Sequence, residues 1–217
     1  MSKAQLSDEA DDGDRPQQTR YAQKRDHIIQ TASRRFNTHG VRGATLDDIA
    51  RDVGMNLTSI RHYFRRKEDL VAAAFLESIA CHAGLFRRAL EGDSPEARVR
   101  RLVHEYFELR RSIRSGDSPD VMIFGDMRSL SDQHAQEVWP RYTELFRMAR
   151  EIVKSSGSAD EDRMVCSARA QFLLSQLIRS VFWLPAYPAE SLDRAERMFM
   201  DILFNGLAAP GQVLTDP

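Results

Sequence analysis

Five short clusters do most to limit how this chain can fold. "EGDSP" (91–95), "SGDSP" (115–119), "SLSD" (129–132), "SSGSAD" (155–160) and "LPAYP" (184–188) cut its C-terminal part into segments. Ser, Gly, Asp and Pro stop one helix and cap the next. Between the clusters, apolar residues recur at three- and four-residue intervals and never alternate as a strand requires. Helices are therefore expected near 95–114, 118–129, 132–155, 160–184 and 189–208, preceded by a long amphipathic one from near Lys67 through "RRKEDLVAAAFLESIACHAGLFRRAL". There is no repeat of fixed period. The expected fold class is all-α, a three-helix N-terminal head followed by a larger helical body, with about nine helices in all.

The bulk properties narrow the function. The chain has 217 residues, 42% hydrophobic and 29% charged, the profile of an ordinary soluble protein. No apolar run approaches the roughly 18 residues that cross a bilayer, and the N-terminus carries no apolar signal core. No membrane partner is expected, and the expected location is the cytoplasm. Cys81 and Cys166 lie in separate helical patterns without metal-ligand spacing. Free thiols are the expectation, with a disulfide left open. The net charge of −1 hides a division. Residues 1–14 hold one Lys against five acids, residues 15–69 hold 12 Lys or Arg against 6 acids, and residues 71–217 hold 18 against 21. A small basic unit joined to a non-basic one points to a polyanionic partner for the first alone.

Residues 1–16 combine acids, Gly13 and Pro16 without periodicity and read as a disordered tail. From about Gln17 a helical stripe of Ile28, Ile29, Ala32 and Phe36 runs to Gly40, a helix-ending residue. Thr45 and Asp48 have the spacing of a capping box for a short second helix with Leu46, Ile49, Ala50 and Val53 on its inner face. Gly54 suits the tight turn that follows, and Asn56 caps a third helix in "GMNLTSIRHYF". There Ile60 and Phe64, four apart, anchor one face, while Ser59, Arg61, His62 and Tyr63 point elsewhere. Ala50, Gly54 and Ile60 fit a helix-turn-helix, whose second helix enters the DNA major groove. They fit an ordinary helical hairpin too.

The stretch "TLDDIARDVGMNLTSIRHYFRRKEDL" resembles the signature of the TetR family of transcriptional regulators, the similarity covering roughly residues 25–72. The resemblance implies a DNA-binding domain at 17–70 and a ligand-binding and dimerisation domain at 71–217. It implies that Thr45 caps its helix close to a phosphate and that Thr58, Ser59, Arg61 and His62 face base edges or nearby backbone. Tyr63 and Lys67 are the implied phosphate contacts, and Leu57 touches a thymine methyl or packs locally. An arginine such as Arg61 reads guanine through bidentate bonds, and phosphate contacts set the register. The chain departs from the family pattern at Thr58, where Gly is common, at Arg61, where Tyr is common, and at Arg66, where Ser or Asn caps the fourth helix. Arg20, Lys24, Arg25 and Arg42 are further candidates for backbone contacts.

One recognition helix gives little affinity alone, so a homodimer is expected, placing two such helices about 34–36 Å apart on palindromic double-stranded DNA. The last two helices are its candidates. "MVCSARAQFLLSQLIRSVFWL" is apolar nearly all round, through Val165, Phe172, Leu173, Leu174, Leu177 and Val181, and the final helix adds Leu192, Met198, Phe199, Ile202 and Leu203. The family resemblance also implies a small-molecule effector, with Tyr106, Phe107, Phe124, Trp139, Tyr142, Phe146 and Trp183 as candidate contacts and a hydrophobic or acyl-like ligand expected. Arg179, among apolar neighbours, would meet an acidic group of that ligand or an acid across the dimer. The expectation is a repressor released by its effector, with an effector-independent dimeric DNA-binding protein as the alternative. No catalytic residue, metal site or cofactor is expected. No Glu or Asp has a His three residues later, and there is no phosphate loop or nucleophile motif.

Overall fold

A computed structural model describes residues 15–154 and 163–207. The described residues form eight α-helices and no strand: α1 (Arg15–Gly43), α2 (Leu46–Val53), α3 (Leu57–Tyr63), α4 (Lys67–Ala89), α5 (Pro95–Ser115), α6 (Asp132–Val153), α7 (Arg163–Trp183) and α8 (Leu192–Asn205). The expected tail lies outside the described residues from 1 to 14, while positions 15 and 16 already belong to α1. Gly40 breaks that helix near its end at φ 72°, so residues 41–43 form a separate turn.

The head is built by local chemistry. Thr45 Oγ1 accepts from Asp48 N at 3.1 Å, and Asp48 Oδ2 accepts from Thr45 N at 3.2 Å, closing the capping box that starts α2. Gly54 ends α2 in the left-handed region, at φ 72° and ψ 30°, which a residue without Cβ adopts without strain. Asn56 Oδ1 accepts from Ser59 N at 2.8 Å and starts α3. Ile60, Phe64, Ile49 and Ala50 then pack with Ile28, Ile29, Ala32 and Phe36 in one apolar cluster.

α4 starts in the head and runs unbroken into the body, where it packs on α5 and α6. Among the described residues it is one helix long and apolar enough to cross a membrane, a correction to the expectation that no segment is. Its apolar residues are largely spent on the core, with Leu70, Val71, Ala74, Phe75, Ile79, Leu85 and Phe86 all buried.

The helix expected at 118–129 does not form, which leaves eight helices where about nine were expected. Residues 119–123 carry no regular structure, and a 3-10 turn, Phe124–Ser129, follows. The cause is non-local. Asn37 on α1 donates from Nδ2 to Val121 O at 2.8 Å and accepts from Ile123 N at 3.0 Å. Ser78 on α4 accepts from Met122 N at 2.7 Å. Arg34 on α1 meets Asp120 at 2.9 Å. Side chains of two helices thus supply the partners that a helical ladder would otherwise provide, so the bridge stays extended while its buried backbone groups remain satisfied.

Candidate nucleic-acid interface and body sites

The third helix is held by little and shows much. Ile60 is fully buried and Phe64 nearly so. Thr58, Arg61 and His62 are exposed, and Leu57, Ser59 and Tyr63 are half-buried. Tyr63 stacks on Tyr21 of α1 with ring centroids 4.6 Å apart and planes at 22°. That stack sets the exposed Arg20 and Lys24 of α1 beside the end of α3. Arg25 lies over the Phe64 ring at 5.3 Å. The contribution of Tyr21 was missed in the sequence, because only the fold brings residues 21 and 63 together.

The cations of the head fall into two groups. Arg35 pairs with Asp48 at 3.3 Å and Asp52 at 2.8 Å, and Arg51 pairs with Asp47 and Asp48. Arg20, Lys24, Arg42, Arg61 and Arg65 make no ion pair among the described residues and are exposed. Arg35 and Arg51 are neutralised between α1 and α2, while Arg61 on α3 and Arg65 just after it are left free. The Asp48 carboxyl is held below its ordinary pKa, first by the hydroxyl bond from Thr45, then by the Thr45 amide and the charges of Arg35 and Arg51, against the opposing effect of burial.

Thr45 is exposed, with its side chain engaged by Asp48. Lys67 is turned to internal use: its Nζ donates to Val41 O at 3.0 Å and Ala44 O at 3.1 Å, tying the α1–α2 turn to the start of α4. An ammonium has three donors, so one remains. Arg66, at the position where the family often has a capping side chain, makes no side-chain cap bond. Asp69 Oδ2 instead accepts from its backbone N at 2.9 Å. His134, at the start of α6, reaches the other oxygen of Asp69 at 3.1 Å, linking body to head.

The candidate effector residues separate into groups. Tyr106, Phe124, Trp139 and Tyr142 lie along one chain of rings. His82, which the sequence reading passed over, sits between Tyr106 at 6.2 Å and Phe124 at 5.1 Å. His82 is buried and its Nδ1 lies 2.6 Å from Ser78 O. Burial lowers its pKa, and burial raises those of Tyr106 and Tyr142. Phe107 and Trp183 converge instead on Phe199, at 5.7 and 6.4 Å. Phe146 lies apart under Arg150. Trp139 is 42% exposed, and Arg179 is exposed on the outer face of α7. Among the described residues, no three His, Cys, Asp or Glu are grouped to hold a metal. Cys81 and Cys166 are free thiols.

On that outer face Val165, Ala168, Phe172, Ser175, Arg179 and Phe182 succeed one another at intervals of three and four, the period of a helix–helix seam. Phe172 is 55% and Phe182 69% exposed. Beside this seam lies a groove of about 540 Å³ between α7 and α8, lined mainly by Phe172, Trp183, Met198, Phe199, Ile202 and Leu203.

The fold recurs in known proteins. A TetR-family transcriptional regulator from Bordetella parapertussis 12822 superposes with a TM-score of 0.68 at 20% identity, over 85% of this chain and 98% of the other. The TetR-family regulator PfmR from Thermus thermophilus gives 0.66 at 18%, over 85% and 97%. AibR, solved in complex with isovaleryl coenzyme A and operator DNA, gives 0.65 at 17%, over 83% and 98%. No protein of curated function matches the chain. Residues 28–74 match the profile of bacterial regulatory proteins, tetR family, so the segment that carries the capped helices, the tight turn at Gly54 and the exposed α3 is the segment the family shares. The head thus resembles the tetR family of bacterial regulatory proteins, and the fold is one that solved TetR-family regulators share.

Proposed function

We propose that the chain is a cytoplasmic repressor that binds palindromic operator DNA as a homodimer and is released by a small, hydrophobic effector. The observation that carries the DNA reading is the sorting of charge in the head. Arg34, Arg35 and Arg51 have carboxylate partners, whereas Arg20, Lys24, Arg42, Arg61 and Arg65 have none among the described residues. Free guanidinium and ammonium groups beside an exposed helix suit a phosphate backbone. Thr58, Ser59, Arg61 and His62 are assigned to base edges and adjoining backbone. Thr45, Tyr63 and the spare donor of Lys67 are assigned to phosphates, and Leu57 to a thymine methyl. Residues 17–70 act as the DNA-binding domain and 71–217 as the effector and dimer domain.

The second copy is assigned to α7 and α8, because water-exposed Phe172 and Phe182 stand in one seam with the small residues Ala168 and Ser175. The effector reading has its support in a neighbour of the same fold solved with isovaleryl coenzyme A and operator DNA, and in the ring chain from Tyr106 to Trp139. A ligand acts through its differential affinity for two conformations, typically about 1–3 kcal/mol of coupling. An effector-independent dimer is the second reading. It is favoured by the close packing of that ring chain, in which Tyr106, His82 and Phe124 are all buried.

The test uses the full chain. Sedimentation should give a dimer that Phe172→Glu dissociates, and the wild type should prefer inverted-repeat duplexes from around its own gene over random ones at about 0.15 M salt. A monomer without that preference would end the proposal. Acyl thioesters should weaken the DNA complex, and unchanged affinity across such ligands would leave the effector-independent reading.

A further inference from the structure

The 3-10 turn Phe124–Ser129 ends beside the head. A groove of about 270 Å³ opens there, whose lining includes Arg42, Lys67, Glu68 and Arg128. Arg42 comes from the α1–α2 turn, Lys67 and Glu68 from the first turn of α4, and Arg128 from the body. The Lys67 ammonium is fixed by its bonds to Val41 O and Ala44 O, which also fix the turn that carries Arg42. Arg42 and Arg128 are exposed, and neither makes a hydrogen bond or ion pair among the described residues. Glu68 is the one carboxylate among the groove's lining residues. The next acid, Asp69, is already occupied by Arg66 N and His134.

Three cations facing one carboxylate repel each other in the free protein, and an oxyanion relieves that repulsion. Guanidinium forks match phosphate oxygens, and an ammonium with a spare donor adds a third bond. The groove also adjoins the turn that leads to Thr45 and α2. We propose that it is a phosphodiester site for the DNA strand flanking α3, with Arg128 supplying a contact from the body. The proposal rests on the DNA reading above and extends it. Because the segment before Arg128 is bonded to Asn37 and Ser78, the grip on that phosphate spans head and body, and a shift between the two loosens it.

Non-specific binding isolates phosphate contacts, so the probe is a random-sequence duplex of about 40 base pairs titrated from about 0.05 to 0.2 M salt. Arg128→Ala in the full chain should lower the slope of log affinity against log salt by about 0.9 for each subunit bound. Arg128→Lys should retain most of the slope, and Arg100→Ala, on α5, should leave it unchanged. Inorganic phosphate at matched ionic strength should give no Arg128-dependent rise in melting temperature, since a free-phosphate site would do so. An unchanged slope for Arg128→Ala, while Arg61→Ala and Arg42→Ala lower theirs, overturns this site and leaves the DNA reading standing. A wild type without salt-dependent duplex affinity overturns both.

Discussion

Ser78→Ala tests the bridge between head and body. Ser78 is 1% exposed; its Oγ donates to Ala74 O at 2.8 Å and accepts from Met122 N at 2.7 Å. Met122 is 3% exposed, so water cannot readily take the place of the lost hydroxyl. A buried donor left without a partner costs about 1–3 kcal/mol. Alanine recovers a few tenths of that, up to about 0.5 kcal/mol, as the better helix former within α4. The expected net loss is about 0.5–2.5 kcal/mol, a fall in melting temperature of about 1–10 °C for a chain of this size. Thermal and urea unfolding measure it, and hydrogen exchange at the Met122 amide should lose protection. Asn37→Ala removes the two bonds on either side, to Val121 O and Ile123 N. Since both residues hold the same three-residue stretch, the double variant should lose less than the two single losses together. A Ser78→Ala protein as stable as wild type, with Met122 still protected, would refute the account of why this segment is extended.

Two pH predictions follow from buried or bonded groups. The Asp48 carboxyl titrates below its ordinary 3.8 in the folded protein, so its stabilising effect is present above that pH and lost as pH falls through the lower folded value. Asp48→Asn should therefore reduce the melting temperature at pH 7, with the gap from wild type narrowing below about pH 3.8; a gap independent of pH would count against the capping role. His82 titrates below its ordinary 6.5 because it is buried, so the unfolded chain binds its proton first and stability falls as pH drops below that value. His82→Phe should flatten the stability profile between pH 5 and 7, and an equally steep profile would show that His82 is not the group responsible.

The parts legible in the sequence are those made by near neighbours. Thr45 and Asp48, Gly54, and Asn56 with Ser59 are separated by three residues or fewer, and each does in the fold what its chemistry predicts. The two anchors of α3, Ile60 and Phe64, were readable from their spacing for the same reason. The 118–129 segment was not, because its partners lie 44 to 86 residues away on α1 and α4. The Lys67 ammonium bonds carbonyls 23 and 26 positions back, which no local pattern announces. Arg179 stood among apolar letters, but only packing settles which side of α7 faces outward. The apolar run of α7 likewise does not tell which residues its own chain covers: Leu173, Leu174 and Leu177 are buried, whereas Phe172 and Phe182 are exposed.

The tie from Asn37 and Ser78 to residues 121–123 bears on how such proteins can be recombined. A chimera cut at position 70 and given a foreign head would keep Ser78 but lose Asn37 and Arg34, stranding Val121 O and Ile123 N. A graft of DNA specificity onto this body must import the whole of α1 with those two side chains in register. Failing that, it should exchange only the exposed positions of α3 and leave the joinery intact.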